Sequence, residues 1–313
     1  MAISSISSNF FEWSKNLKII SREKGLTSFS PDTWFRSQKF VLNQILSEIE
    51  KNSEIREFVI LKGRQLGITT VLHAFDLFWT MCFKGIKLGF LCHSYEARPK
   101  LREILRSMYL SLPRPMKVSC LIDNREMMHF VNGSEIQFMH VSSREASKQT
   151  VARSQALTCL HATEAAFYSA NDPSDEVLKS LMISLSKTNP ARYSILESTA
   201  NGFTSFYDRW EAAKQNPSQK AIFVGWYMRD DYRIKKTNPL FREYGYPPTR
   251  EEKNRINLVK ELYNIDIDIE QLAWFRKEVA TTFTDDMNYA LQELPWYDEE
   301  AFRLSGYRYF SSE

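Results

Sequence analysis

Apolar residues gather along this chain in two kinds of run. Short ones occur at Phe58-Val59-Ile60-Leu61, which is unbroken, and at the mainly apolar Lys87 to Cys92, Ala156 to His161, Tyr193 to Leu196 and Ala221 to Trp226. Runs of that length without alternation suit strands of a parallel sheet, buried on both faces. Between them lie longer stretches whose apolar residues recur at helical spacing. One runs from Thr69 to Phe83, a second from about Glu96 to Leu110 with Pro99 in its first turn, and a third passes through Trp210. Another helix begins at Asp172-Pro173-Ser174, with Asp172 as its cap. Met127 to Val141 reads as a hairpin, because Asn132-Gly133 is a strong turn signal between two apolar stretches. Strands alternating with helices predict an α/β fold with a doubly wound, mainly parallel sheet flanked by helices.

The ends differ from this middle. Residues 1–50 read as a helical, mixed segment, with Phe40, Val41, Ile45, Leu46 and Ile49 on one face. After about residue 230 charges become dense and Pro239, Pro247 and Pro248 break the chain, with helices expected at Arg250 to Tyr263 and Asp268 to Ala280. The organisation expected is therefore an N-terminal segment over 1–50, a core over 51–230 and a small helical linker subdomain over 231–313.

Composition narrows the class only a little. Of 313 residues, 43% are hydrophobic and 25% charged, which suits a globular chain with a sizeable core. The formal net charge of +3 is too small to argue for a nucleic-acid partner, although it leaves room for a local basic groove. Cys82, Cys92, Cys120 and Cys159 each sit in an apolar stretch without metal or redox spacing, and read as reduced core residues. His73, His93, His129, His140 and His161 show no ligand spacing. No secretory signal and no stretch long enough to span a membrane is visible, so a soluble, cytoplasmic protein is expected.

The chemistry starts at Lys62-Gly63-Arg64-Gln65-Leu66-Gly67-Ile68-Thr69-Thr70, which follows a buried run and opens a helix. A phosphate-binding loop needs backbone N–H groups aimed at an anion, a cation, a hydroxyl for magnesium and a helix start behind the anion. Gly63 and Gly67 allow the tight turn, and Thr69, with Thr70 second, offers the hydroxyl. The usual motif places lysine directly after its last glycine, where this chain has Ile68. Lys62, at the front of the loop, is long enough to fold back over a phosphate, and Arg64 adds a second cation. A glycine-containing strand-to-helix turn with incidental basic residues is the competing reading of the same segment.

Two later segments bear on that choice: Leu157 to Tyr168, with Thr163-Glu164 at its centre, and Glu197-Ser198-Thr199-Ala200-Asn201-Gly202. With Arg64-Gln65-Leu66-Gly67, they resemble the ATPase domain of large terminase subunits, the DNA-packaging motors of tailed bacteriophages. Gln292-Glu293-Leu294-Pro295 followed by Glu300-Ala301-Phe302 resembles that domain's exit, so the resemblance covers roughly residues 30 to 305. It implies a P-loop NTPase of the ASCE type that binds ATP and Mg2+. It implies Lys62 as the shifted lysine and Glu164 as the carboxylate that polarises the attacking water. Thr163 stands where relatives carry the magnesium-associated aspartate, and implies a hydroxyl acting through water. Ser198, Thr199, Asn201 and Gly202 match the coupling motif. Gln38 resembles the glutamine that reads adenine. Arg153, with Arg144 as its competitor, resembles the arginine a neighbouring subunit inserts, worth roughly 10³–10⁵ in rate in such systems.

The resemblance also implies partners: double-stranded DNA, a portal protein, a small terminase subunit and copies of the chain in a ring, in the host cytoplasm and away from membranes. Lys100, Arg102, Arg106, Arg114 and Lys117 form one basic stretch that could meet DNA phosphates, and Arg144 and Lys148 another. Full-length relatives continue into a nuclease domain. This sequence stops at Glu313, so no DNA cleavage is expected from it. A helicase-like remodelling ATPase and a non-hydrolysing adaptor on the same fold are the alternatives, the second because Ile68 and Thr163 depart from the usual pattern.

Overall fold

The computed structural model describes residues 5–21, 25–51, 54–142 and 156–306, with side chains to residue 302. The chain opens with helix α1 (Ile6–Ser14), a hairpin of β1 (Lys18–Ser21) and β2 (Gly25–Ser28), and helix α2 (Arg36–Glu50). The hairpin has no strong signal in the sequence. Then follow β3 (Glu57–Lys62), α3 (Ile68–Cys82), β4 (Lys87–Cys92) and α4 (Ala97–Ser111), which carries Pro99 in its first turn as expected.

Three strands come next, β5 (Cys120–Asp123), β6 (Met127–Phe130) and β7 (Glu135–His140). The predicted hairpin is β6–β7, turning at Asn132-Gly133, and β5 adds an unpredicted edge strand beyond it. The core continues through β8 (Cys159–Thr163), α5 (Glu176–Ser184), β9 (Tyr193–Ser198), α6 (Ser205–Gln215) and β10 (Gln219–Val224). Asp172 reaches the first turn of α5, where its Oδ2 accepts from the Val177 N–H at 2.9 Å. Helices α7 (Phe241–Tyr244), α8 (Arg250–Tyr263), α9 (Ile269–Thr281), α10 (Met287–Glu293) and α11 (Asp298–Gly306) complete the described chain.

One eight-stranded sheet organises these elements, in the order β10-β3-β9-β8-β4-β7-β6-β5. The six strands from β10 to β7 are parallel, and β6 and β5 are antiparallel additions at one edge. The fold is thus α/β, with a mixed, mostly parallel sheet between helices. The short apolar runs have the burial that their pattern predicts. On β3, Phe58 and Ile60 join the apolar layer under α2 and α3, while Val59 and Leu61 join the layer under α5 and α6.

The two ends of the chain belong to the same core. Phe10 of α1 is fully buried and packs edge-on to Phe75 and Phe78 of α3, with ring centroids 6.0 and 5.2 Å apart. Trp226, just after β10, stacks on Phe275 of α9 at 5.1 Å and meets Trp296 at 5.3 Å. Among the described residues no helix is long and apolar enough to cross a membrane. In open sheets of this kind ligands bind beyond the carboxyl ends of the strands, where the strand order reverses. Here β3 lies between β10 and β9, and the chain leaves it to reach β4, three positions further on beyond β9 and β8.

Candidate active site

The loop between β3 and α3 borders a cleft of about 700 Å3 at that edge. Its walls are Lys62, Arg64 to Thr70, His93, Glu164, Phe167, Thr199, Tyr289, Gln292 and Glu293. Parallel pairing brings the chemistry together. Glu197 on β9 is in register with Ile60 on β3 and with Thr163 on β8, so three strand ends deliver Lys62, Thr163-Glu164 and Glu197-Ser198 side by side.

The loop is clamped from two sides. The Gly63 N–H donates to the Val224 carbonyl at 2.9 Å, and the Arg64 N–H to the Glu293 carbonyl at 2.8 Å. On the other side, Ser37 Oγ donates to the Leu66 carbonyl and Gln38 Nε2 to the Gly67 carbonyl, both at 2.9 Å. Gly67 has φ +73°, a left-handed backbone that favours glycine, and a Cβ there would meet Gln38 Nε2 at 2.6 Å. Beyond it, α3 begins at Ile68. Its first-turn N–H groups have no intrahelical acceptor and carry the positive end of the helix dipole. They belong to residues that line the cleft, so an anion is favoured there.

Lys62 is 6% exposed and bridges two carboxylates: its Nζ lies 2.9 Å from Glu164 Oε1 and 3.2 Å from Glu197 Oε2. Burial works against the ammonium, but Glu164 and Glu197 outweigh it and hold Lys62 firmly protonated. Glu197 is fully buried, and its Oε1 accepts from Thr163 Oγ1 at 2.5 Å and from Thr69 Oγ1 at 2.6 Å. Burial alone would raise its pKa, yet Lys62 and then His161 keep it well below the ordinary carboxylate range.

Behind Glu197 lies a second buried layer. His161 Nε2 is 3.8 Å from Glu197 Oε1, and His161 Nδ1 is 2.5 Å from Asp76 Oδ2. Tyr193 OH donates to the other Asp76 oxygen at 2.6 Å. Burial opposes charge on His161, but Asp76 and Glu197 raise its pKa to about 9. His73 packs against it and is pushed the other way, down to about 4, by burial and then by the charge of His161. The donor atoms of His73, Asp76 and His161 lie within 4.8 Å of one another. Asp76 is already committed to His161 and Tyr193, so the group reads as a polar network behind the site.

Glu164 directly follows β8 with φ 54° and ψ 44°, a left-handed conformation uncommon for a residue with a side chain. That turn leaves Thr163 buried against Glu197 and sends Glu164, at the cleft wall, toward Lys62. The segment after β9 is tied to the same turn. Ser198 Oγ accepts from the Ala166 N–H at 3.1 Å, and Asn201 Nδ2 donates to the Ala166 carbonyl at 3.3 Å. Thr199 lines the cleft, and Gly202 has φ +68°.

The structure therefore brings together Lys62, Gly63, Arg64, Gln65, Leu66, Gly67, Ile68, Thr69, Thr70, Thr163, Glu164, Ser198, Thr199 and Asn201. Gln38 is 2% exposed and outside the cleft wall. Its Oε1 accepts from the Phe35 N–H and its Nε2 holds Gly67, so the amide supports the loop. Arg144, Lys148 and Arg153 lie outside the described residues. In the other basic stretch Arg102 and Arg106 both pair with Asp123, which reduces its net charge. Two features of the cleft are not legible in the sequence. One is the wall that α10 supplies through Tyr289, Gln292 and Glu293. The other is the central place of Glu197, signalled only by an acid inside an otherwise buried strand.

A hard divalent cation fits the donor set, since Thr69, Thr163, Glu164 and Glu197 offer oxygens only. Of these, Thr69 and Glu164 line the cleft, and Glu197 lies behind them with its Oε2 3.2 Å from the Lys62 ammonium.

Among solved structures the chain is similar to the large terminase of a thermophilic bacteriophage. The TM-score is 0.50 and the identity 14%, over 69% of this chain and 51% of that one. This chain therefore spans about half the length of that terminase. The same terminase in complex with ADP matches at TM-score 0.48 and 12% identity, with the same coverage of 69% and 51%. The large terminase ATPase domain of Thermus phage P74-26 matches at TM-score 0.45 and 14% identity, over 74% of this chain and 92% of that domain. At such identities the likeness is one of fold, shared with phage large terminases over about 70% of the chain. No protein-family model and no curated protein matches this sequence.

Proposed function

We propose that this chain is an ATP-hydrolysing, Mg2+-dependent motor domain that moves double-stranded DNA into a viral procapsid. The observation that carries the reading is the cleft itself. A loop at the carboxyl end of a central strand opens a helix toward it, and a buried lysine and a carboxylate in a left-handed turn face it together. A turn with incidental basic residues would need neither a buried ion triad nor a clamp on both sides of the loop.

In this reading the N–H groups at the start of α3 hold the phosphates, with Lys62 and Arg64 as cations. A bound metal would supply charge neutralisation on the phosphates, and Thr69 is the hydroxyl that would hold it. Glu164 orients the attacking water and accepts its proton. Ser198 and Asn201 bond to Ala166, two residues beyond Glu164, so a shift in the turn that carries Glu164 is felt at Thr199 to Gly202. That link is what a coupling segment requires. Arg153, from a neighbouring copy in a ring, offsets transition-state charge. Portal protein and small terminase subunit are the assembly partners, and the host cytoplasm is the setting.

The test is ATP turnover by the purified chain with and without duplex DNA. Glu164→Gln is expected to lower turnover ~10²–10⁴-fold, the range for a general base, while keeping nucleotide binding. A Glu164→Gln chain that turns over ATP at the wild-type rate would sink the assignment.

A further inference from the structure

We infer that Glu197, on β9, is the carboxylate that anchors the divalent cation of this site, a task the resemblance places on β8 at Thr163. The inference rests on the nucleotide-binding reading above and assigns within it a residue that the motif comparison leaves without a role.

Three observations carry it. First, Thr163 cannot supply the charge. It bears a hydroxyl, and that hydroxyl donates to Glu197 Oε1 at 2.5 Å. Second, the same oxygen accepts from Thr69 Oγ1 at 2.6 Å, the hydroxyl that opens α3 beside the cleft. A carboxylate that fixes this hydroxyl sets the direction of its lone pairs, which is how an outer partner tunes a metal ligand. Third, Glu197 and Thr163 are direct partners in the parallel pairing of β8 and β9. A side chain from either strand end thus enters the same space. The other oxygen, Oε2, lies 3.2 Å from Lys62 Nζ, so the residue keeps its negative charge beside the loop.

The layer behind the carboxylate fits a fixed anchor. His161 sits 3.8 Å from Oε1 and is itself held by Asp76 and Tyr193. These contacts orient Glu197 from the side away from the cleft. If Glu197 served only as a counter-ion to Lys62, neither the convergence of two hydroxyls on one oxygen nor the polar backing layer would be needed.

The experiment is calorimetric titration of ADP into the full chain, once with Mg2+ and once with EDTA. The chains compared are wild type, Glu197→Gln and the double variant Glu197→Thr with Thr163→Asp. Wild type is expected to bind ADP more tightly with Mg2+. Compared with its own EDTA titration, Glu197→Gln should lose most of the gain from Mg2+, by ~10–100-fold, the usual effect of removing a group that orients a metal ligand. The double variant, with a carboxylate returned to β8, should recover the gain. The EDTA arm shows that the variant is folded. If Glu197→Gln binds in neither buffer, the double variant decides, and absence of a Mg2+ gain there counts against the inference. A Mg2+ gain in Glu197→Gln equal to wild type overturns it, as does a wild type that binds ADP equally in both buffers. A wild type that binds no ADP in either buffer overturns the nucleotide reading itself.

Discussion

Gly67 shows how much of this site is decided one residue at a time. Its φ of +73° and the 2.6 Å approach of Gln38 Nε2 to the position of a Cβ both call for glycine. Gly67→Ala is expected to cost ~1–2 kcal/mol for the left-handed backbone alone, and to displace Gln38 from the Gly67 carbonyl. Urea unfolding should show the loss of stability, and ADP titration a weakened site. Unchanged values in both would mean that the clamp on the loop does not matter. Lys62 is a second such residue, since it is the cation shared by Glu164 and Glu197. Lys62→Ala leaves the buried Glu197 without that cation, which typically costs about 3–5 kcal/mol. It should also abolish turnover; normal ATP hydrolysis by Lys62→Ala would refute the reading of the shifted lysine.

At the level of elements, the site depends on what presses against the loop from outside the sheet. Helix α2 sends Ser37 and Gln38 to one side of it, and α10 sends the Glu293 carbonyl to the other. Neither helix could do so unless it were packed in place. Helix α1 braces α3 through Phe10, and α9 locks the far wall through the Trp226, Phe275 and Trp296 stack. Phe10→Ala should therefore cost ~3–5 kcal/mol, as other large truncations in a core do. A drop in thermal midpoint with two-state unfolding is the expected record. Loss of less than ~1 kcal/mol would show instead that the first fifty residues are a separable segment; surface changes fall in that small range.

For the whole molecule, the buried chain of charges running from Lys62 through Glu197 and His161 to Asp76 links stability to pH. His161 has its pKa raised from 6.5 to about 9 in the folded protein. A raised pKa means that the folded state holds its proton more tightly. The stabilisation is thus fully present below about pH 6.5 and is lost as pH rises through about 9. A shift of that size corresponds to ~3 kcal/mol. Denaturant unfolding from pH 6 to pH 10 should show the decline, and His161→Gln should flatten it. An alkaline decline equally steep in both proteins would assign the pH dependence to other groups.

The sequence by itself determined the elements and the loop. Short apolar runs such as Phe58 to Leu61 suit strands covered on both faces, and Asn132-Gly133 is a turn by backbone preference. Both are local properties, readable within a few residues, so the parallel core is legible in the sequence. The loop from Lys62 to Thr70 and the acid at Glu164 were legible for the same reason, since each lies at the end of such a run. The tertiary structure decided which groups meet. The β1–β2 hairpin and strand β5 carry half-exposed, weakly patterned residues, and pairing, not propensity, makes them strands. Gln38 and Glu293 reach the loop across long sequence separations that no local pattern records. Glu197 is the clearest case. In the sequence it is one acid after an apolar run, and only the register of β9 against β3 and β8 sets it beside Lys62, Thr69 and Thr163. Strand order is fixed by packing over the whole sheet, so the neighbours of a strand-end residue cannot be read from its own segment.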